Sequence, residues 1–211
     1  SPAAVVVFTD PVLEALVRGA LGRPEGDIPL AQAHVVTRLP LSNAWQQYLP
    51  EMTPITDLGG LQNFINLETL DLSAHAVTDI SPLQGLTKLN SLSLAGNPVT
   101  DLSPLAGLTN LKYLNLSGCQ AQDFGTLANL VNLQVLLLDH SAITDLTPLS
   151  GLTNLRHLYL AKSSAEDLSL LENIYPNLEG KDFTITLIKQ TTLGINLYSP
   201  MGQLEMNVAL K

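Results

Sequence analysis

The chain is poor in basic residues, in cysteine and in long apolar runs. Its 211 residues hold 10 Lys and Arg against 19 Asp and Glu, a formal charge of −9. That balance argues against a nucleic-acid binder, which draws its affinity from a basic surface that neutralises phosphates. A single cysteine, Cys119, excludes an internal disulfide, so an apolar core must carry the stability unaided. A lone cysteine suits the cytosol and equally a bacterial surface protein that avoids cysteine. No stretch reaches the roughly 18 apolar residues that a membrane-spanning helix needs. The early run Ala3–Phe8 is too short for a signal peptide and lacks its basic flank, which leaves room for a leader already removed.

What the chain has is a period. A unit starting at Ile55 returns at Val77, Val99, Ala121, Ile143 and Ala165, giving five full 22-residue units over 55–164. In the third unit the apolar positions are Val99, Leu102, Leu105, Leu108, Leu111, Leu114 and Leu116. Neither a 3.6 nor a 2.0 period fits the whole unit, so no single secondary element explains it. A coil does. The stretch "LKYLNLS" alternates like a short strand with Leu114 and Leu116 facing in. Ser81-Pro82, Ser103-Pro104 and Thr147-Pro148 offer a capping hydroxyl and then a proline for the first helical position. Gly85, Gly107 and Gly151 follow where a left-handed exit is expected. One unit cannot bury its own leucines; stacked units share one continuous core.

The spelling of these units, as in "LAGNPVTDLSPLAGLTN" (94–110), resembles leucine-rich repeats of the 22-residue class, and most closely those of internalin-like bacterial surface proteins. The resemblance is strict over 55–164 and looser over roughly 10–183. It implies a right-handed α/β solenoid whose parallel β-sheet lines a concave face.

The ends are expected to close the stack. Residues 1–54 read as an N-terminal helical cap with a degenerate first repeat. Asp10 is the helix cap and Pro11 the first helical residue; Leu13, Leu16, Val17, Ala20 and Leu21 lie on one face, and Gly22 ends the helix. "VVTRLPLS" (35–42) is a first strand. About nine extra residues separate its leucines from Ile55, in an insertion carrying Trp45, Tyr48, Leu49 and Met52. Residues 55–183 hold the five full repeats and a degenerate sixth, in which Lys181 stands where the strand leucine belongs. Residues 184–211 alternate like two or three strands, with turns near Thr192–Gly194 and Pro200–Gly202, and read as a C-terminal β cap.

Asp57, Asp79, Asp101, Asp123, Asp145 and Asp167 recur at one position of the unit. A row of carboxylates suggests calcium, but a metal site needs several oxygens converging at one coil. Recurrence in every coil suits carboxylates that accept N–H bonds from the turn that follows. The usual asparagine position near the end of the unit reads His75, Asn97, Cys119, Ser141 and Ser163, which predicts a weak ladder between coils and a buried, unreactive Cys119.

Strand alternation turns the remaining side chains to the concave face. Early coils place small polar groups there. Later coils place Tyr113, Val135, Leu137, His157 and Tyr159 on neighbouring strands, flanked by Lys112 and Arg156, with His140 and Lys162 nearby. The repeat's own packing does not require apolar groups at these positions, and exposed apolar clusters with tyrosine and arginine mark interfaces. The competing readings are ordinary strand composition and cover by the C-terminal segment. His140, His157 and Asp139 fall short of a zinc ligand set. No serine elbow, phosphate loop or H-E-x-x-H occurs, so no catalytic residue, metal or cofactor is expected.

These residues point to a non-enzymatic, monomeric binding module. It would be a bacterial surface or secreted protein gripping a protein, or alternatively a glycan, on the concave face. Two other readings stay open. The repeats also resemble those of phosphatase-regulating proteins, which would make the chain an intracellular regulatory subunit; or it is a surface spacer that binds nothing.

Overall fold

The computed structural model describes residues 4–43, 53–189 and 205–210. Two helices, α1 (Pro11–Leu21) and α2 (Leu30–Ala33), precede β1 (Arg38–Pro40). Short strands then recur once per coil: β2 (Thr69–Asp71), β3 (Ser91–Ser93), β4 (Tyr113–Asn115), β5 (Val135–Leu137), β6 (His157–Tyr159) and β7 (Gly180–Lys181). They form one parallel sheet in the order β1 to β7, with Leu39, Leu70, Leu92, Leu114, Leu136 and Leu158 in register. This is a leucine-rich repeat solenoid. Leu39 pairs with Leu70 across 31 positions, where each full coil takes 22, so the nine-residue insertion is accommodated without loss of register. The insertion's Trp45, Tyr48, Leu49 and Met52 lie outside the described residues.

The core is one continuous apolar column from Val6 to Ile185, to which each coil contributes its seven periodic positions. All seven in the third unit are buried, Val99 through Leu116. Opposite the sheet, a single 3-10 turn recurs, as in Ser81–Leu83, Ser103–Leu105 and Thr147–Leu149. Two expectations about this turn need correction. The Ser and Thr hydroxyls do not cap it; the aspartate two residues earlier does. Ser81 N, Ser103 N and Thr147 N each donate to Oδ1 of Asp79, Asp101 and Asp145 at 2.8 Å. Asp57, Asp123 and Asp167 accept from Gly59, Gly125 and Ser169 in the same way. The six carboxylates are thus turn acceptors. Nor do Gly85, Gly107 and Gly151 take positive φ: a one-turn 3-10 segment returns to extended chain without reversing hand. The left-handed residues sit elsewhere, after the strands, at Ala74, Gly96, Gly118, His140 and Lys162.

The ladder between coils is stronger than the sequence implied at one position, His75. Asn97 is buried; its Oδ1 accepts from Val77 N at 3.1 Å and its Nδ2 donates to Leu72 O at 2.7 Å. His75 does the same work with a ring. Its Nδ1 accepts from Ile55 N at 3.0 Å, which leaves Nε2–H to donate to Leu41 O at 2.5 Å. Cys119 is buried, and that burial pushes its thiol up, so it is not a reactive thiolate. Ser141 is buried too, but its Oγ has no partner among the described residues. Ser141→Asn is therefore expected to raise stability by about 1 kcal/mol, the worth of an added buried hydrogen bond. The melting temperature should rise by about 2–4 °C; an unchanged or lower value would show that a larger side chain does not fit there.

A second asparagine ladder escaped the sequence reading although it follows the same period. On the far side of the coils, Nδ2 of Asn110, Asn132 and Asn154 donates to the carbonyls of Thr87, Thr109 and Val131 in the preceding coil, at 2.8, 2.8 and 2.9 Å. Asn66 reaches His34 O at 2.6 Å.

Helix α1 begins at Pro11 with Asp10 as its cap and ends on Gly22 at φ 61°. Its apolar face is narrower than expected: Leu13 and Val17 are buried, while Ala20 is exposed. The chain before it passes close to the first coil. At Gly60, with φ 113°, a Cβ would lie 2.7 Å from Phe8 Cδ1 and 2.9 Å from Val7 O, so no side chain fits. At the other end, Lys181 replaces the strand leucine by donating to Leu178 O at 2.9 Å, its ammonium 4.9 Å from the Tyr175 ring centre. Asp182 then stands in for a missing strand: Leu160 N and Ala161 N donate to its two carboxylate oxygens at 2.8 and 2.7 Å. Beyond it, β8 (Thr184–Lys189) and β9 (Glu205–Leu210) pair in parallel. The turns expected at 192–194 and 200–202 lie outside the described residues.

Candidate functional site

Among the described residues the sheet has one face on the core and one face open. Two rows of side chains cross the open face. The first runs Thr69, Ser91, Tyr113, Val135, His157; the second runs Asp71, Ser93, Asn115, Leu137, Tyr159. Register makes Tyr113, Val135 and His157 direct neighbours, and Leu137 and Tyr159 likewise, at a strand spacing of roughly 4.8 Å. All five are half-buried. The sequence-selected apolar residues therefore form one contiguous patch on β4, β5 and β6.

The rest of the face is polar and internally tied. Ser73 Oγ donates to Asp71 Oδ1 at 2.6 Å and lies 2.6 Å from Ser93 Oγ. Ser117 Oγ donates to Asp139 Oδ2 at 3.2 Å. These groups satisfy one another. The sequence reading did not anticipate this network, because it depends on which rotamers meet across strands.

The flanking cations differ from each other. Lys112, before β4, is exposed. Arg156 is half-buried and turned back on the chain: its Nη1 donates to Leu155 O at 2.9 Å and Thr153 O at 3.3 Å. It stiffens the start of β6 more than it projects into solvent.

Gly180 shapes the far edge of the patch. A Cβ there would collide with His157 Nδ1 and lie 2.7 Å from Tyr159 Oη. The two rings thus lean over the bare backbone of β7, and the patch extends to the last strand because that residue is glycine. Among the described residues no group of three or more His, Cys, Asp or Glu side chains is placed to hold a metal ion. No described helix is long and apolar enough to cross a membrane.

A family model described as leucine-rich repeats in two copies matches residues 87–129. Among solved structures, an internalin (inlF) from Listeria monocytogenes superposes with a TM-score of 0.70 at 24% identity, over 97% of this chain and 65% of that one. The chain thus spans about 65% of that internalin's length. A leucine-rich repeat protein from Leptospira interrogans gives a TM-score of 0.61 at 22% identity, over 73% of this chain and 38% of that one. Internalin C2 (inlC2) from Listeria monocytogenes is 26% identical over 87% of this chain and 100% of its own, but superposes more loosely at 0.48. No curated protein matches the chain in sequence. The first two likenesses and the 22-residue register lead to one conclusion: this chain has the leucine-rich repeat fold of those internalin and Leptospira structures.

Proposed function

We propose that the chain is a non-enzymatic protein-binding module that grips a protein ligand on the open face of its sheet. One observation carries this reading: strand register gathers Tyr113, Val135, Leu137, His157 and Tyr159 into a single half-buried patch that the core does not use. A rigid face of this kind loses little conformational freedom on association, so more of the contact energy appears as affinity. Tyrosines are the anchors, Leu137 and Val135 fill between them, and Lys112 steers. Arg156 contributes through the position of its strand. A glycan is the second ligand class, since tyrosine and histidine rings also suit sugar faces.

In this proposal residues 1–54 cap one end with the helix and first repeat, 55–183 form the repeats, and 184–211 cap the other end. The resemblance to internalins supports a bacterial surface or secreted location, and the protein would act as a monomer.

The test is affinity capture from membrane and cytosolic extracts with wild type and Tyr113→Ser/Leu137→Ser/Tyr159→Ser at matched stability, followed by direct titration of the captured protein. Loss of three buried anchors should weaken binding at least about a hundredfold. Equal binding by both proteins would remove the patch from the interface. A partner drawn from the cytosol would favour a regulatory subunit over a surface protein.

A further inference from the structure

The turns that leave the sheet carry a feature the open face does not explain. In successive coils the left-handed turn residue is Ala74, Gly96, Gly118, His140 and Lys162, with φ of 63°, 69°, 74°, 56° and 54°. Left-handed backbone disfavours any non-glycine residue by roughly 1–2 kcal/mol. Ala74 shows that the turn accepts a plain side chain, so what sets the last two coils apart is the charge they carry. The turns are bonded to each other: Gly118 N donates to Asp139 O at 2.8 Å, and His140 N to Ala161 O at 2.9 Å. His140 and Lys162 therefore occupy equivalent places on adjacent coils.

Across these turns and that of Gly118 runs an open groove whose polar side chains include Gln120, Gln122, His140, Lys162 and Ser164. It contains no aspartate or glutamate, in a chain of charge −9. Among the described residues, neither His140 nor Lys162 makes a side-chain hydrogen bond or ion pair. Asp139, one residue before His140, receives Ser117 Oγ on the sheet side. Imidazole, ammonium, amide and hydroxyl groups all supply N–H or O–H donors here. A carboxylate is the complement of that set.

We infer that the groove across the exit turns of β4, β5 and β6 seats an acidic peptide segment, through carboxylates held by His140 and Lys162. The partner class follows from position. β5 and β6 also carry Val135, Leu137, His157 and Tyr159, so the groove continues the proposed protein-binding patch; only the identity of the acidic segment as part of that partner rests on that reading. An acidic sugar is less suited, because among the described residues His140 is the sole ring lining the groove and no tyrosine, tryptophan or phenylalanine stands with it to hold a sugar face.

The test titrates a hexaglutamate peptide into the full chain at low salt, by calorimetry and by NMR of the His140 and Lys162 side chains. The proteins compared are wild type, His140→Ala/Lys162→Ala, and Tyr113→Ser/Leu137→Ser/Tyr159→Ser. Alanine is already native in the equivalent turn at Ala74, so the groove variant should fold; its circular dichroism and melting temperature check that. The peptide should perturb both side chains of the wild type and bind the groove variant at least about tenfold more weakly, as expected for losing the lysine charge contact and the imidazole donor. It should bind the sheet-face variant unchanged. No binding by wild type, or equal binding by the groove variant, overturns the inference. Selective binding of a glucuronate-containing oligosaccharide in place of the peptide also overturns it. Loss in the sheet-face variant alone would overturn it too, while leaving the sheet-face reading intact.

Discussion

Replacing Asp10 by alanine is expected to destabilise the N-terminal end by about 3 kcal/mol, through loss of a helix cap and of charge-assisted bonds to the first coil. Oδ1 accepts from Val12 N at 2.7 Å and Leu13 N at 3.3 Å, capping α1. Oδ2 accepts from Thr56 N at 2.8 Å, Thr56 Oγ1 at 3.2 Å and Asp57 N at 3.2 Å. One buried carboxylate thus joins two segments 46 positions apart. Alanine orphans the donors on both sides. Asp10→Asn separates the two roles: its amide oxygen can still cap α1, but its NH2 then faces the Thr56 and Asp57 donors. Asparagine should therefore recover about 1 kcal/mol, the value of a cap, and no more. Urea unfolding gives the magnitude, and hydrogen exchange at the amides of 12–13 and 56–57 locates it. Full recovery by asparagine would reduce Asp10 to a simple cap.

The same carboxyl sets an acid limit. Burial pushes its pKa up, but the N–H bonds from Thr56, Val12, Asp57 and Leu13 outweigh burial and hold it below its ordinary 3.8. A depressed acid stabilises the fold above its unfolded value. That contribution is lost as pH falls from about 3.8 through the lower folded value, because the unfolded chain takes up the proton first. Asp10→Ala should flatten part of the stability curve in that range.

Asn97→Ala is expected to be as damaging, at about 3–4 kcal/mol, because it leaves Val77 N–H and Leu72 C=O unpaired inside the molecule at about 1–3 kcal/mol each. The amide also donates to Leu94 O at 3.1 Å and Ala95 O at 3.3 Å, so one side chain holds two coils and its own turn. A loss below about 1 kcal/mol in urea unfolding would mean that water replaces the amide. His75→Asn is the companion experiment. Burial lowers the pKa of this ring from its ordinary 6.5, against opposing pulls from Leu41 O and the charges of Asp71 and Asp10. The neutral form is needed because Nδ1 accepts from Ile55 N. Stability from His75 is complete above pH 6.5 and declines as pH falls below it, since the unfolded ring protonates first. Asparagine can keep both bonds without titrating, so the variant should lose the slope below pH 6.5 while keeping neutral-pH stability. A slope that survives belongs to another group.

The sequence by itself determined the coil, the strand register and the buried leucines, since every unit presents the same pattern and only stacked units bury it. It also supplied the aspartate turn acceptors and the five apolar residues of the open face, because strand alternation fixes which side each residue faces. Tertiary structure alone decided how those residues are used. Whether Arg156 projects or folds back is a choice of rotamer. That His75 can replace asparagine depends on the distance between coils, and the left-handed residues lie after the strands because the chain reverses there. The reach of the patch over Gly180 depends on β7 pairing beside β6 despite the longer final coil. The contacts of His75 and Gly180 join residues 20 or more positions apart, where local pattern carries no information and only packing sets the geometry.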